Sequence, residues 1–131
     1  MAQKIMVLRI RRMKNANVNQ ELQWLGNSLG LFGLRDKDSS CFRVFITLVK
    51  RGRSNDVMTS DEIADKLGLS RGTVVHHLSK LMGGGIVVHE RGGYILCENS
   101  LEKLVKNLEH DIHTIFRELE SVAREIDEKL D

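Results

Sequence analysis

Proline is missing from this 131-residue sequence, which suits a fold made mainly of helices, because proline interrupts the hydrogen bonds of a helix interior. No apolar run approaches the ~20 residues that a membrane-spanning helix needs, and the arginine-rich N-terminus has no apolar signal core. The only two cysteines, Cys41 and Cys97, are isolated in apolar contexts. We therefore expect a cytoplasmic protein with reduced core thiols and no membrane partner.

Charge is unevenly distributed along the chain, although the net charge is only +2. Residues 1–97 contain 15 Lys and Arg against 8 Asp and Glu, whereas residues 98–131 contain 5 against 10. The basic part suits the phosphate backbone of a nucleic acid, which would repel the acidic C-terminal part. The two parts are therefore predicted to have different partners.

Residues 59–97 predict a helix, a glycine turn, a second helix and a β-hairpin. Thr59 or Ser60 caps the first helix, and Gly68 ends it in the left-handed conformation that glycine adopts without steric cost. Ser70 caps the second helix. The inward positions of this second helix recur at i, i+4 and i+7 and are Val74, Leu78 and Leu81. Its outward positions are Arg71, Thr73, Val75, His76 and Lys80.

A glycine-tipped hairpin follows the second helix, which residues 83–85 (all glycine) bring to an end. Its predicted strands are residues 86–89 and 94–97, around a turn of residues 90–93. The IADKLGLSRGTVVHHLSKL core of residues 63–81, together with this hairpin, resembles the winged helix-turn-helix of ArsR-like bacterial and archaeal transcription regulators. The resemblance implies a mainly α fold with a small β-hairpin wing (α+β).

The resemblance also implies a DNA-binding site, because in this motif the second helix enters the major groove and presents its N-terminal residues to base edges. Arg71 is suited to a bidentate contact with guanine, Arg91 at the wing tip to the adjacent minor groove, and the first helix N-terminus to phosphate. The predicted contact set is Thr59, Ser60, Ser70, Arg71, Thr73, Val75, His76, Lys80 and Arg91. His77 is interpreted as a structural histidine.

Two further helices are predicted before this motif. The first covers residues 20–30 with Asn19 as its cap, and the second runs to about Arg51 after a cap at Asp38 or Ser39. The apolar stripe of the second helix is predicted to be Phe42, Phe45, Ile46 and Val49.

In the first 18 residues, an apolar run is combined with Arg9, Arg11, Arg12 and Lys14, and the sequence leaves two interpretations open. They form either an arm that contacts DNA or a strand or helix that packs on a partner subunit. The predicted domains are a basic arm at 1–18, a winged helix-turn-helix with its preceding helix at 19–97, and a dimerisation helix at 98–131.

The C-terminal helix is predicted to begin at Leu101, after a cap at Ser100. Its apolar residues follow a 4-3 spacing, which is a heptad seam. The seam consists of Leu101, Val105, Leu108, Ile112, Ile115, Leu119, Val122 and Ile126. A helix of ~45 Å cannot bury this seam within a small domain, so we expect a homodimer through it. The stripe is widened by Leu104, Phe116, Ala123 and Leu130, so an interface that also includes the first helix stays open beside a two-stranded coil. The acidic flanks leave parallel and antiparallel pairing both open.

Other functions fit the sequence less well. The zinc motif that some ArsR-like sensors carry on their dimer helices is half matched by Asp111 and His113, but Arg124 and Asp127 stand at the positions of the second half. We therefore predict no metal site. The chain contains no phosphate-binding glycine loop and no nucleophile with a base at motif spacing, so it is predicted to have no enzyme activity and no cofactor.

The sequence thus predicts a homodimeric regulator that binds double-stranded DNA with sequence specificity and acts as a repressor, with no small-molecule ligand identified. The alternative is a winged helix that binds another protein. The +7 balance of residues 1–97 favours DNA.

Overall fold

The computed structural model describes residues 11–12, 14–30, 39–52 and 54–131, and most of the predicted basic arm lies outside them. The described elements are α1 (Val18–Ser28), α2 (Ser40–Gly52), α3 (Ser60–Leu67), α4 (Arg71–Gly83), β1 (Val87–Glu90), β2 (Gly93–Leu96) and α5 (Leu101–Leu130). This order confirms the predicted α+β winged helix-turn-helix. The chain divides into two compact units, and the boundary lies between Asn99 and Ser100. No helix in the described ranges combines the length and apolarity needed to cross a membrane.

The start of α1 is set by Asn17 rather than by the predicted cap, Asn19. The side chain of Asn17 accepts a hydrogen bond from the Gln20 backbone at 2.8 Å, and the Gln20 side chain accepts one from the Asn17 backbone at 2.9 Å. This reciprocal capping box satisfies two backbone donors at once. The helix therefore begins at Val18, two residues before the predicted start, and Asn19 lies inside it.

The buried face of α2 is rotated from the predicted one. Of the predicted stripe only Phe45 is buried, whereas Phe42, Ile46 and Val49 are half-buried. The residues that face the core are Cys41, Val44, Phe45 and Leu48. Both sets have helical spacing, and the contacts of α2 with α4 and β2 decide which one is buried.

The turn between α3 and α4 has the predicted geometry. Thr59 and Glu62 form a capping box at the start of α3, and Gly68 ends the helix with a φ of 66°, in the left-handed region. The backbone N–H of Leu69 then donates to the Ala64 carbonyl at 3.1 Å. Ser70 caps α4 by accepting from the Thr73 backbone at 3.1 Å. These local bonds fix the direction in which α4 leaves α3.

The wing is a two-stranded antiparallel hairpin in which Val87 pairs with Leu96 and Glu90 with Gly93. Its turn has two residues, Arg91 and Gly92, rather than the predicted four, and both have positive φ (52° and 77°). Such turns match the right-handed twist of paired strands, so each strand is shifted by one residue from its predicted range.

A third segment adds to the hairpin at Met58, which the sequence did not predict to pair. Met58 and Tyr94 exchange two backbone hydrogen bonds of 3.0 and 2.8 Å. Gly93 permits this approach, because a Cβ there would lie 2.9 Å from the Met58 carbonyl oxygen and from Val57. The bridge fastens the segment before α3 to the wing.

The unit formed by α5 begins at Leu101 after a cap at Ser100, as predicted. Leu104 and Leu108 are buried, but all residues from His113 onward are exposed. Four residues of the predicted seam are at least 42% exposed, and they are Ile115, Leu119, Val122 and Ile126. Phe116 and Leu130, beside the seam, are 63% and 79% exposed. The second half of α5 therefore presents an apolar face to solvent.

Candidate nucleic-acid interface

The exposed face of α4 is defined by the residues on its other side. Val74, Leu78 and Leu81 are completely buried, as predicted. Because one turn of helix has 3.6 residues, this packing directs the intervening positions outward. Of the predicted contact residues within α4, Arg71, Val75, His76 and Lys80 are exposed, whereas Thr73 is half-buried.

Ser70 and Thr73 are joined by two hydrogen bonds at the N-terminus of α4. The Ser70 hydroxyl accepts from the Thr73 backbone and donates to the Thr73 hydroxyl oxygen at 2.8 Å. Ser70 has therefore used its proton within the cap. The Thr73 hydroxyl accepts this bond and keeps its own proton, which it can donate to a phosphate oxygen.

Arg71 is the first residue of α4 and carries the cation nearest to the N-terminus of that helix. Its Nε lies 3.5 Å from the Oδ1 of Asp61 in the first turn of α3, and both side chains are more than 70% exposed. The two terminal nitrogens of the guanidinium are the donors that form a bidentate contact with guanine. The ion pair uses Nε. The two terminal nitrogens of Arg71 can therefore contact a base while the ion pair is kept.

Thr59 and Ser60 mark the N-terminus of α3, where both are half-buried. The Thr59 hydroxyl accepts from the Glu62 backbone at 3.1 Å and lies 3.3 Å from the Glu62 carboxylate. That carboxylate in turn contacts Arg51 at 3.2 Å. Glu62 thus places a negative charge beside the predicted phosphate contact of Thr59, which leaves Ser60 as the better placed of the two hydroxyls.

Arg91 occupies the tip of the wing, as predicted, and its side chain is about half exposed. One terminal nitrogen donates to the backbone oxygen of Asn55 at 3.2 Å and contacts Glu90 at 3.4 Å. The side chain therefore lies along the loop before α3. Insertion into a minor groove requires Arg91 to exchange these exposed contacts for DNA.

His77 points away from the exposed face and has the structural role predicted for it. Its Nε2 lies 2.7 Å from the hydroxyl oxygen of Ser40, which is buried at the start of α2. This hydrogen bond ties the middle of α4 to α2. His76, one residue earlier, is exposed.

The two histidines of α5 lie about one helical turn apart, at positions 110 and 113. His113 accepts a hydrogen bond from the Arg117 Nε at 3.1 Å, and His110 is exposed on the same helix. Within the described ranges, no three His, Cys, Asp or Glu side chains are grouped as a metal ion requires. Both cysteines are thiols; Cys41 is buried, and Cys97 donates to the Gly85 carbonyl at 3.1 Å.

The sequence did not predict the acidic partners of the contact residues, Asp61 and Glu90. In the sequence, each is only an acidic residue that precedes a basic one. Asp61 and Arg71 are ten residues apart, and this spacing does not by itself predict a contact. The packing of α4 on α3 brings them together, and leaves the Nε of Arg71 3.5 Å from the Oδ1 of Asp61.

Comparison with known proteins identifies the central segment. Residues 53–88, about a quarter of the chain, match the family described as "Bacterial regulatory protein, arsR family". No curated protein and no solved structure matches the chain. The matched range contains α3, α4 and the start of the wing. The chain therefore carries an ArsR-like helix-turn-helix, which is the DNA-binding segment of a transcription regulator.

Proposed function

We propose that this protein is a homodimeric repressor that recognises a specific double-stranded DNA sequence. The observation that carries the proposal is the exposed face of α4, since three fully buried side chains fix which residues point outward. Arg71 and His76 supply polar groups for base edges, and Lys80 supplies a cation at the far end for phosphate. The proposed contact set is the one predicted from the sequence.

The charge distribution supports DNA as the partner of the N-terminal unit. The excess of seven positive charges lies in residues 1–97, and the acidic excess in the segment of α5. Phosphate neutralisation by Lys and Arg supplies most of the sequence-independent affinity of DNA-binding proteins. The acidic α5 is suited to a different partner.

We assign α5 to the dimer interface, with the acidic 98–131 segment as the dimerisation domain. The exposed part of the seam, from Ile115 to Ile126, offers apolar area that a second α5 would cover. Leu108 is already buried within the single chain and adds little further area. Phe116 and Leu130 broaden the apolar stripe beyond the a and d positions of a two-stranded coil, which favours an interface of more than two helices.

A dimer with two-fold symmetry would present two copies of α4 to a pseudo-palindromic site. Half-sites separated by about one helical turn of DNA, or a multiple of it, fit this arrangement. Repression then follows from occupation of the DNA, because a bound dimer excludes other proteins from the same sequence.

The salt dependence of binding tests this function. The full chain should bind a duplex selected from a random pool. The logarithm of the association constant should fall linearly with the logarithm of the salt concentration, with a slope of about −0.9 per neutralised phosphate. A duplex of the same length and scrambled sequence is the control and should bind more weakly at every salt concentration. Absence of duplex binding at ~50 mM salt would contradict the proposal and favour a protein partner.

A further inference from the structure

We propose that Asp61 is a positioning residue for base recognition, which acts by holding Arg71 in the orientation that reads one base. The inference rests on the proposed DNA-binding function. Asp61 is exposed and carries a negative charge beside a surface that is proposed to approach phosphates. Such a charge lowers the affinity for any DNA, so its presence there calls for a compensating role.

The geometry of the ion pair supplies that role. Asp61 contacts Nε, on the side of the guanidinium, rather than the two terminal nitrogens. A guanidinium is planar and rigid, so a carboxylate that attracts Nε from 3.5 Å also favours one orientation of the two terminal nitrogens. The terminal nitrogens can then meet the N7 and O6 of guanine while the contact with Asp61 is kept.

The framework that carries the two residues is defined by backbone hydrogen bonds. Asp61 lies in the first turn of α3 and Arg71 in the first turn of α4. The left-handed Gly68 and the cap formed by Ser70 connect the helices through only three residues. The separation of the two side chains is thereby set within the helix-turn-helix itself and does not depend on the wing or on α5.

Specificity is the property that this arrangement improves. An exposed ion pair favours the paired orientation of its side chains only modestly. The equilibrium constant between paired and unpaired orientations changes by a factor of about two to five. The pair strengthens at a DNA surface, where water and salt are partly excluded. On random DNA, the carboxylate opposes phosphate and weakens binding. On the correct base, its effect on Arg71 offsets that repulsion.

The test compares Asp61→Asn with Asp65→Asn, which makes the same charge change one turn along α3. Asp65 is exposed and has no ion pair within the described ranges. Binding is measured to the selected duplex, to duplexes with single base changes, and to random duplex at one salt concentration. Asp61→Asn should bind random duplex more tightly and lose about two- to fivefold in discrimination at one base position. Asp65→Asn should change all duplexes by the same factor.

A double-mutant cycle with Arg71→Ala shows whether Asp61 acts through Arg71. In the Arg71→Ala background, Asp61→Asn should have no further effect on discrimination, and Asp61→Glu in the wild-type background should restore part of it. Equal behaviour of Asp61→Asn and Asp65→Asn would overturn the inference but leave DNA binding intact. Absence of discrimination in the wild-type protein would instead contradict the proposed function. Because discrimination is a ratio measured on one folded protein, a small loss of helix stability does not imitate the effect.

Discussion

Replacement of Leu119 by aspartate should dissociate the proposed dimer without unfolding the chain. Leu119 is 57% exposed in the single chain, so its side chain contributes little to the stability of the monomer. Full burial of a leucine stabilises by about 1.5–3 kcal/mol, and roughly half of that is still to be gained in a dimer. Two symmetry-related copies lose about 2–3 kcal/mol together, which raises the dimer Kd roughly 30- to 150-fold. Two buried, unpaired carboxylates increase the loss.

Ser121→Asp is the matched control for this substitution. It introduces the same residue two positions later, about 200° around the helix, on the polar face of α5. Sedimentation equilibrium over a range of concentrations measures the Kd of each variant, and circular dichroism checks that the helix content is unchanged. An equal Kd for wild type and Leu119→Asp would refute the assignment of α5. An equal loss in Ser121→Asp would show that added negative charge, rather than the seam, is responsible.

Two further predictions concern α4 and the wing. Arg71→Ala should lower discrimination at one base by about 1–3 kcal/mol, whereas Lys80→Ala should weaken binding to all duplexes and reduce the salt slope by about one; identical effects in competition binding would place both residues on phosphate. Gly93→Ala should destabilise the fold by about 1–3 kcal/mol in urea unfolding, because its Cβ would lie 2.9 Å from the Met58 carbonyl oxygen. Gly72→Ala, which has open space around it, is the control at equal protein concentration, and equal stability of the two variants would contradict the tight approach.

The elements that could be predicted from the sequence are those whose signals are local. Thr59, Gly68 and Ser70 each fix a helix end through hydrogen bonds or backbone conformation within a few residues, and all three act as predicted. The inward face of α4 was also predictable, because Val74, Leu78 and Leu81 recur at i, i+4 and i+7. In such segments one periodicity dominates and leaves a single face to bury.

The errors arose where distant segments decide between two acceptable local patterns. In α2, the stripe of Cys41, Val44 and Leu48 and that of Phe42, Ile46 and Val49 both have helical spacing, and only packing against other elements selects the first. The pairing of Met58 with Tyr94 joins residues 36 positions apart and has no signal in either segment. The ion pair of Asp61 with Arg71 likewise depends on how one helix follows another.

The small number of base contacts proposed for α4 is an argument for the proposed second subunit. A good bidentate contact such as that proposed for Arg71 discriminates by about 1–3 kcal/mol, a factor of roughly 5 to 150. Specific DNA-binding proteins prefer their sites by factors of about 10³ to 10⁷. Two copies bound to one site add their free energies, so the ratio of a single helix is squared. Leu119→Asp should therefore lose most of its preference for the selected duplex, and its salt slope should fall to about half, because each monomer neutralises half of the phosphates.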